Sequence, residues 1–280
     1  IQEEAPPIAI DFVSNREGVF EDVLQETALS VFKEGGYDNA VSVCEIVPSA
    51  DSRVVVRTVG KFKVDREGPW VLPRSPEQAK FMRHLRSMQT RLSDLGYSVS
   101  TGPLVWNRHK ERLRERRAKH CYPIIWAEAV SESGFEYSAT KKNHAPYIEL
   151  ESCKSPLVVN RECVLVQRTT SKEQDRRLLA AVMPQSFVDS FGVVAVENHL
   201  NMIYSVKRAL IDPLTIAVLL NTRAIDLAFR CISGSVAVSA YELNALHLPS
   251  FVQLQRLHQA IADGASAETI EVLVAGFYGW

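Results

Sequence analysis

The chain has 280 residues, 32 Lys and Arg against 33 Asp and Glu, and a net charge of -1. Its 46% hydrophobic and 23% charged content fit a soluble globular protein with room for one large or two ordinary domains, and exclude a disordered or fibrous chain. No apolar run approaches the roughly 18 residues of a membrane span, so no membrane partner is expected. Ile1-Gln2-Glu3-Glu4 has neither an initiator Met nor the basic and apolar regions of a signal peptide, which predicts a cytoplasmic chain that begins inside a longer protein. Five cysteines at irregular spacing and seven histidines without helical pairing predict reduced thiols and no metal site.

In chain order, Ile8 to Val13 predicts a buried strand, and Val19 to Phe32 continues the same unit up to Gly35-Gly36. Ala40 to Val47 and Arg53 to Val59 predict two more strands around a turn at Pro48 to Ser52. The Pro-rich stretch Gly68 to Pro76 marks a domain boundary, giving domains 1–72 and 73–280. Ser75, Pro76 and Gln78 make a helix start. The stripe Met82, Leu85, Met88, Leu92 and Leu95 predicts a core-facing helix up to Gly96.

Beyond it, strands are predicted at Tyr97 to Thr101, Pro123 to Ala129, Tyr147 to Leu150, Leu157 to Val159 and Cys163 to Thr169. Helices are predicted at Ser171 to Val182, Pro213 to Leu220, Tyr241 to Leu246 and Phe251 to Ala262, and a last one capped by Ser266. The fold class is mixed α+β.

Charge is unevenly placed. Leu104 to His120 carries seven Lys and Arg against Glu111 and Glu115, directly after the Gly102-Pro103 turn. A charge run alone is more often a solvated helix face, and its alternative is a grip on a polyanion. A second cluster follows the strand Val164-Leu165-Val166, where Arg168, Thr169, Thr170 and Lys172 could hold phosphate or simply cap a helix. Val196-Glu197-Asn198-His199-Leu200-Asn201 sets polar residues in an apolar context. Its Asn side chains could read adenine or satisfy loop backbone. Ser235, beside Gly234, could meet a phosphate or cap a helix. Trp106, Tyr122, Trp126 and Tyr147 are either core or stacking surfaces for bases.

Together these segments resemble adenine-specific (N6) DNA methyltransferases of restriction-modification systems, in the group with the catalytic domain first and the target-recognition domain last. Phe12-Val13-Ser14-Asn15-Arg16, Val19-Phe20 and Asp22-Val23-Leu24-Gln25-Glu26 look like the late catalytic segment. Ser98 to Pro103 with Trp106-Asn107-Arg108 looks like the opening of the recognition domain. Tyr122 to Glu128, Leu165 to Thr170, Val196 to His199 and Ser233-Gly234-Ser235 to Leu248-Pro249 look like its later blocks.

The resemblance implies trailing strands of a Rossmann-like methyltransferase domain followed by a mixed α+β recognition domain. It implies double-stranded DNA as partner, a missing N-terminal catalytic domain of the same protein, and S-adenosylmethionine as cofactor of the parent enzyme. Sites expected to contact DNA are Thr101, Asn107, Arg108, Lys110, Arg112, Arg168, Thr169, Thr170, Lys172 and Ser235. The family's Gly-rich cofactor loop and its Asn/Asp-Pro-Pro-aromatic tetrapeptide do not occur; the only Pro-Pro is in Ala5-Pro6-Pro7-Ile8. No catalytic or cofactor residue is therefore expected in this chain, which should be inactive alone. The alternative is a non-enzymatic DNA specificity subunit that recruits a separate methylase.

Overall fold

The computed structural model describes residues 4–13, 27–35, 40–48, 53–64, 68–169, 176–235 and 237–280. The predicted start of the chain is realised as a four-stranded sheet. Its strands are β1 (Pro7–Val13), β2 (Thr27–Phe32), β3 (Ala40–Pro48) and β4 (Val54–Lys63), in the order β2-β1-β3-β4. β1 and β3 are parallel, and the outer pairs are antiparallel. Alternation puts Ile10, Phe12, Val41 and Val43 on one buried face, covered by Val64 and Leu72. Residues 14–26, which carry most of the predicted late catalytic segment, lie outside the described residues.

The Pro-rich stretch packs against the body of the molecule through a bond from the Leu72 amide to the Cys231 carbonyl. α1 (Pro76–Ser87) then starts where predicted, with the Ser75 hydroxyl accepting from the Gln78 amide. The Gln78 side chain takes the Arg74 amide rather than that of Ser75. The helix stops at Ser87, short of the predicted Leu95. Met88 turns extended, and its carbonyl is claimed by the Arg91 guanidinium and by His247 Nδ1. Leu92 and Leu95 still reach the same core from a turn that Gly96 closes at φ 93°.

Two further four-stranded sheets and a two-stranded one follow, built from β5 (Tyr97–Thr101), β6 (Leu113–Arg114), β7 (Cys121–Ile125), β8 (Val130–Ser131), β9 (Gly134–Phe135), β10 (Tyr147–Glu149), β11 (Cys163–Gln167) and β12 (Ala180–Met183), and, after α2 (Gln185–Phe191), β13 (Ala195–Val196) and β14 (Leu200–Ser205). One sheet runs β12-β11-β14-β5, all antiparallel. The other runs β13-β7-β10-β6, with β13 parallel to β7. β8 and β9 pair by themselves.

Five helices close the chain: α3 (Pro213–Leu220), α4 (Arg223–Arg230), α5 (Ala240–Asn244), α6 (Phe251–Ala262) and α7 (Ala267–Phe277). α3, α6 and the Ser266 cap of α7 match the predicted boundaries. β11 is buried on both faces. Val164 and Val166 meet the helices, whereas Cys163 and Leu165 meet Ile125, Val130 and Met183. Burial pushes the Cys163 thiol up to about 12, which keeps it inert. The mixed α+β class holds.

The helix predicted over Ser171 to Val182 is corrected where it is described: 171–175 lie outside the described residues, 176–179 are not helical, and 180–183 form strand β12. Two side chains impose the extended path. Asp226 Oδ1 accepts from the Arg177 and Leu178 amides, and the Asn221 amide group pairs with both the N–H and the C=O of Ala180, as a strand would. The strand predicted at Leu157 to Val159 reduces to one bridge between Val159 and Val194.

Candidate nucleic-acid interface

Four segments far apart in sequence meet at one seam between the β12-β11-β14-β5 and β13-β7-β10-β6 sheets. At the end of β5 the Gly102 amide donates to the Leu200 carbonyl, the Leu104 amide to Val196, and the Asn198 amide back to Leu104. A Cβ at Gly102 would lie 2.4 Å from the Glu197 carbonyl oxygen, so only glycine allows this crossing. At the end of β11 the Arg168 amide donates to His199, and the Val238 amide donates to Arg168. Thr169 pairs with Ala237.

Buried polar groups fix the seam. The Asn201 amide donates to the Val238 carbonyl at 2.8 Å, and the Thr101 hydroxyl donates to Asn201 Oδ1 at 3.4 Å. Asn201 thus satisfies loop backbone rather than facing a base. Glu197 is 1% exposed, and its carboxylate is occupied by the His199 amide and by His199 Nδ1, both at 2.8 Å.

The predicted contact residues divide accordingly. Thr101, Arg168, Thr169 and Ser235 lie at the seam. Arg168 is half-buried and donates through Nη1 to the Asn198 carbonyl at 2.7 Å, so it braces the loop as well as carrying charge. Ser235 Oγ accepts from the Ala237 amide. Thr170 and Lys172 lie outside the described residues. The basic run leaves the seam at the Leu104–Glu197 bridge and forms two short 3-10 turns, Trp106–Arg108 and Lys110–Arg112.

Asn107, Arg108, Lys110 and Arg112 are exposed on these turns. The Lys110 ammonium sits 5.5 Å from the centroid of the Trp106 ring, and Arg112 pairs with Glu111 at 3.6 Å. Farther along, Arg114 pairs with Glu149, and Arg117 stacks on Phe191. The run is therefore partly tied to the protein and partly offered to solvent. Trp126 is core, with its indole N–H on the Ala145 carbonyl.

Sequence reasoning missed Arg161, whose guanidinium lies 5.4 Å from the centroid of the Tyr204 ring beside a cleft of about 560 Å³ that Ser100, Thr101 and Asn160 also line. Arg161 sits in no charge cluster, so no local signal marked it. The Pro6 carbonyl already accepts from the Lys33 amide, and Pro7 opens β1, so this Pro-Pro pair does not fit an adenine-binding tetrapeptide. Among the described residues no three His, Cys, Asp or Glu are placed to hold a metal ion, and no helix is long and apolar enough to cross a membrane.

No family profile matches the chain. It is 28% identical over 248 residues to the type II methyltransferase M.BsuBI of Bacillus subtilis, covering 84% of this chain and 48% of that protein. It is 30% identical over 181 residues to the type II methyltransferase M.PstI of Providencia stuartii, covering 64% of this chain and 36% of that protein. Among solved structures, the type IIG restriction endonuclease BpuSI aligns with a TM-score of 0.44 at 12% identity, over 98% of this chain and 44% of that one. The chain spans about half or less of the length of the curated relatives it matches. Over most of its own length, then, this chain is similar to type II methyltransferases, as its motifs led us to expect.

Proposed function

We propose that this chain is the DNA-recognition part of a site-specific adenine-N6 DNA methyltransferase of a restriction-modification system. In this reading residues 73–280 are the target-recognition domain, and residues 1–72 are the trailing edge of a catalytic domain whose earlier part lies in the same protein. The parent enzyme uses S-adenosylmethionine in the cytoplasm and acts on an adenine flipped from double-stranded DNA. This chain grips phosphates and reads bases beside it. The parallel pairing of β1 with β3 suits the edge of a Rossmann-like sheet. The similarity to two type II methyltransferases supports the reaction class.

The observation that carries the reading is the seam, where Thr101, Arg168, Thr169 and Ser235 converge at the foot of an exposed basic run. Arg108 grips as an exposed cation, and Arg168 does so from a braced position. Duplex binding measured across a salt series tests this. Arg108→Ala and Arg168→Ala should each lower the slope of log affinity against log salt by about one. Arg168→Ala should also lower the melting temperature, because the Asn198 carbonyl loses its donor. Unchanged affinity and slope in both variants would end the reading.

A further inference from the structure

Lys141 and Lys142 are exposed on a turn whose construction is more elaborate than a solvated loop requires. Glu128, with its side chain only 9% exposed, accepts from the Thr140 amide at 2.9 Å and the Lys141 amide at 3.3 Å. Its second oxygen meets His144 Nδ1 at 2.8 Å. Burying a carboxylate costs free energy unless several donors compensate, and here three converge on it. Asn143 takes a left-handed conformation, φ 72°, which tightens the turn. The His144 ring lies flat on Trp126, with centroids 3.9 Å apart and planes 9° from parallel.

Trp126 is also the ring against which Trp106 packs edge-on, at 5.9 Å. Trp106 in turn carries Lys110. The lysine turn and the first basic turn thus brace against a single buried indole, two ring-to-ring steps apart. A DNA duplex presents one negative charge per about 1.7 Å of its axis, so it can engage both turns within a few base pairs.

We infer that the Lys141–His144 turn is a second phosphate-gripping element, acting on the same duplex as Trp106–Arg112 and held in place by Glu128, a positioning residue. The inference rests on the DNA-recognition reading and adds a contact to it. A lysine on a turn already ordered loses less conformational freedom on binding than one on a loose loop. Lys141 pairs with Glu128 at 3.9 Å, at the long end of an ion pair, and with its side chain 66% exposed it can exchange that partner for a phosphate.

The test uses the full chain and a random-sequence DNA duplex, with anisotropy titrations across a salt series. Lys141→Ala/Lys142→Ala should lower the salt slope by about two, one per phosphate contact. Glu128→Ala should reproduce much of that loss with both lysines present. Glu128→Gln, which keeps an acceptor for the two backbone amides, should restore most of it. If the double lysine variant keeps the unsubstituted slope while Arg108→Ala lowers it, the inference is wrong and the DNA reading stands. Absent or salt-insensitive duplex binding by the unsubstituted chain overturns both.

Discussion

Asp212 shows how one carboxylate can serve two helices. It caps α3 by accepting from the Thr215 amide at 3.0 Å and the Thr215 hydroxyl at 2.6 Å, and it reaches His258 Nδ1 on α6 at 2.7 Å. Burial alone would raise its pKa, but the Thr215 donors and His258 outweigh burial and hold it below the ordinary 3.8. A carboxyl with a depressed folded-state pKa stabilises the fold above its unfolded value. That contribution is lost as pH falls through the folded value. Asp212→Asn should therefore lower stability at neutral pH and flatten the acid side of the stability curve, as urea unfolding from neutral pH to about pH 2 would reveal. An acid limb as steep as that of the unsubstituted chain would contradict it. The Asp212, Thr215 and His258 grouping resembles a catalytic triad in composition only, since Thr215 is fully buried and Asp212 is taken up in capping α3.

At the scale of elements, the Thr101-Gly102-Pro103 turn owes its glycine to a backbone crossing. Gly102→Ala would push a Cβ to 2.4 Å from the Glu197 carbonyl oxygen and 2.7 Å from that of Val196, both backbone atoms that cannot move aside alone. A cost of about 3 kcal/mol is expected, measured by urea unfolding, with duplex binding weakened in parallel. Full stability in this variant would mean the crossing is not as close as described. Elements whose signals are local were legible in the sequence: α3 and α6 run as predicted and α7 starts at its Ser266 cap, and the structure adds Asp212 and Ser250 as the caps of the first two.

Elements defined by distant partners were not legible. β12 looked helical because its anchors, Asn221 and Asp226, lie more than 40 residues downstream. β14 was hidden because its polar Asn201 pairs with Val238 and Thr101 rather than facing water. The same holds for the site. The charge run was visible as a run, whereas Lys141 gains its meaning only through Trp126 and Glu128.

For the whole molecule, the distribution of exposed apolar groups singles out the first sheet. Its two outer strands, β2 and β4, expose Leu29, Val31 and Phe32, and Val54, Val55 and Val56. Outer strands that present such apolar side chains can pair with other chains. The chain should self-associate with rising concentration in sedimentation experiments. Val31→Lys with Val55→Lys should return it toward monomer. A monomeric unsubstituted chain at high concentration would refute this.

The seam has a consequence in time. Thr101 waits for Asn201, 100 residues later, before their bond can form. At synthesis rates of about 5–20 residues per second, that partner emerges roughly 5–20 s after Thr101 does. Contacts of such long sequence separation also form slowly once the chain is complete. The surface proposed to meet DNA therefore takes shape only after Asn201 and Val238 have been made, and a polyanion has nothing to grip in its intended geometry before then.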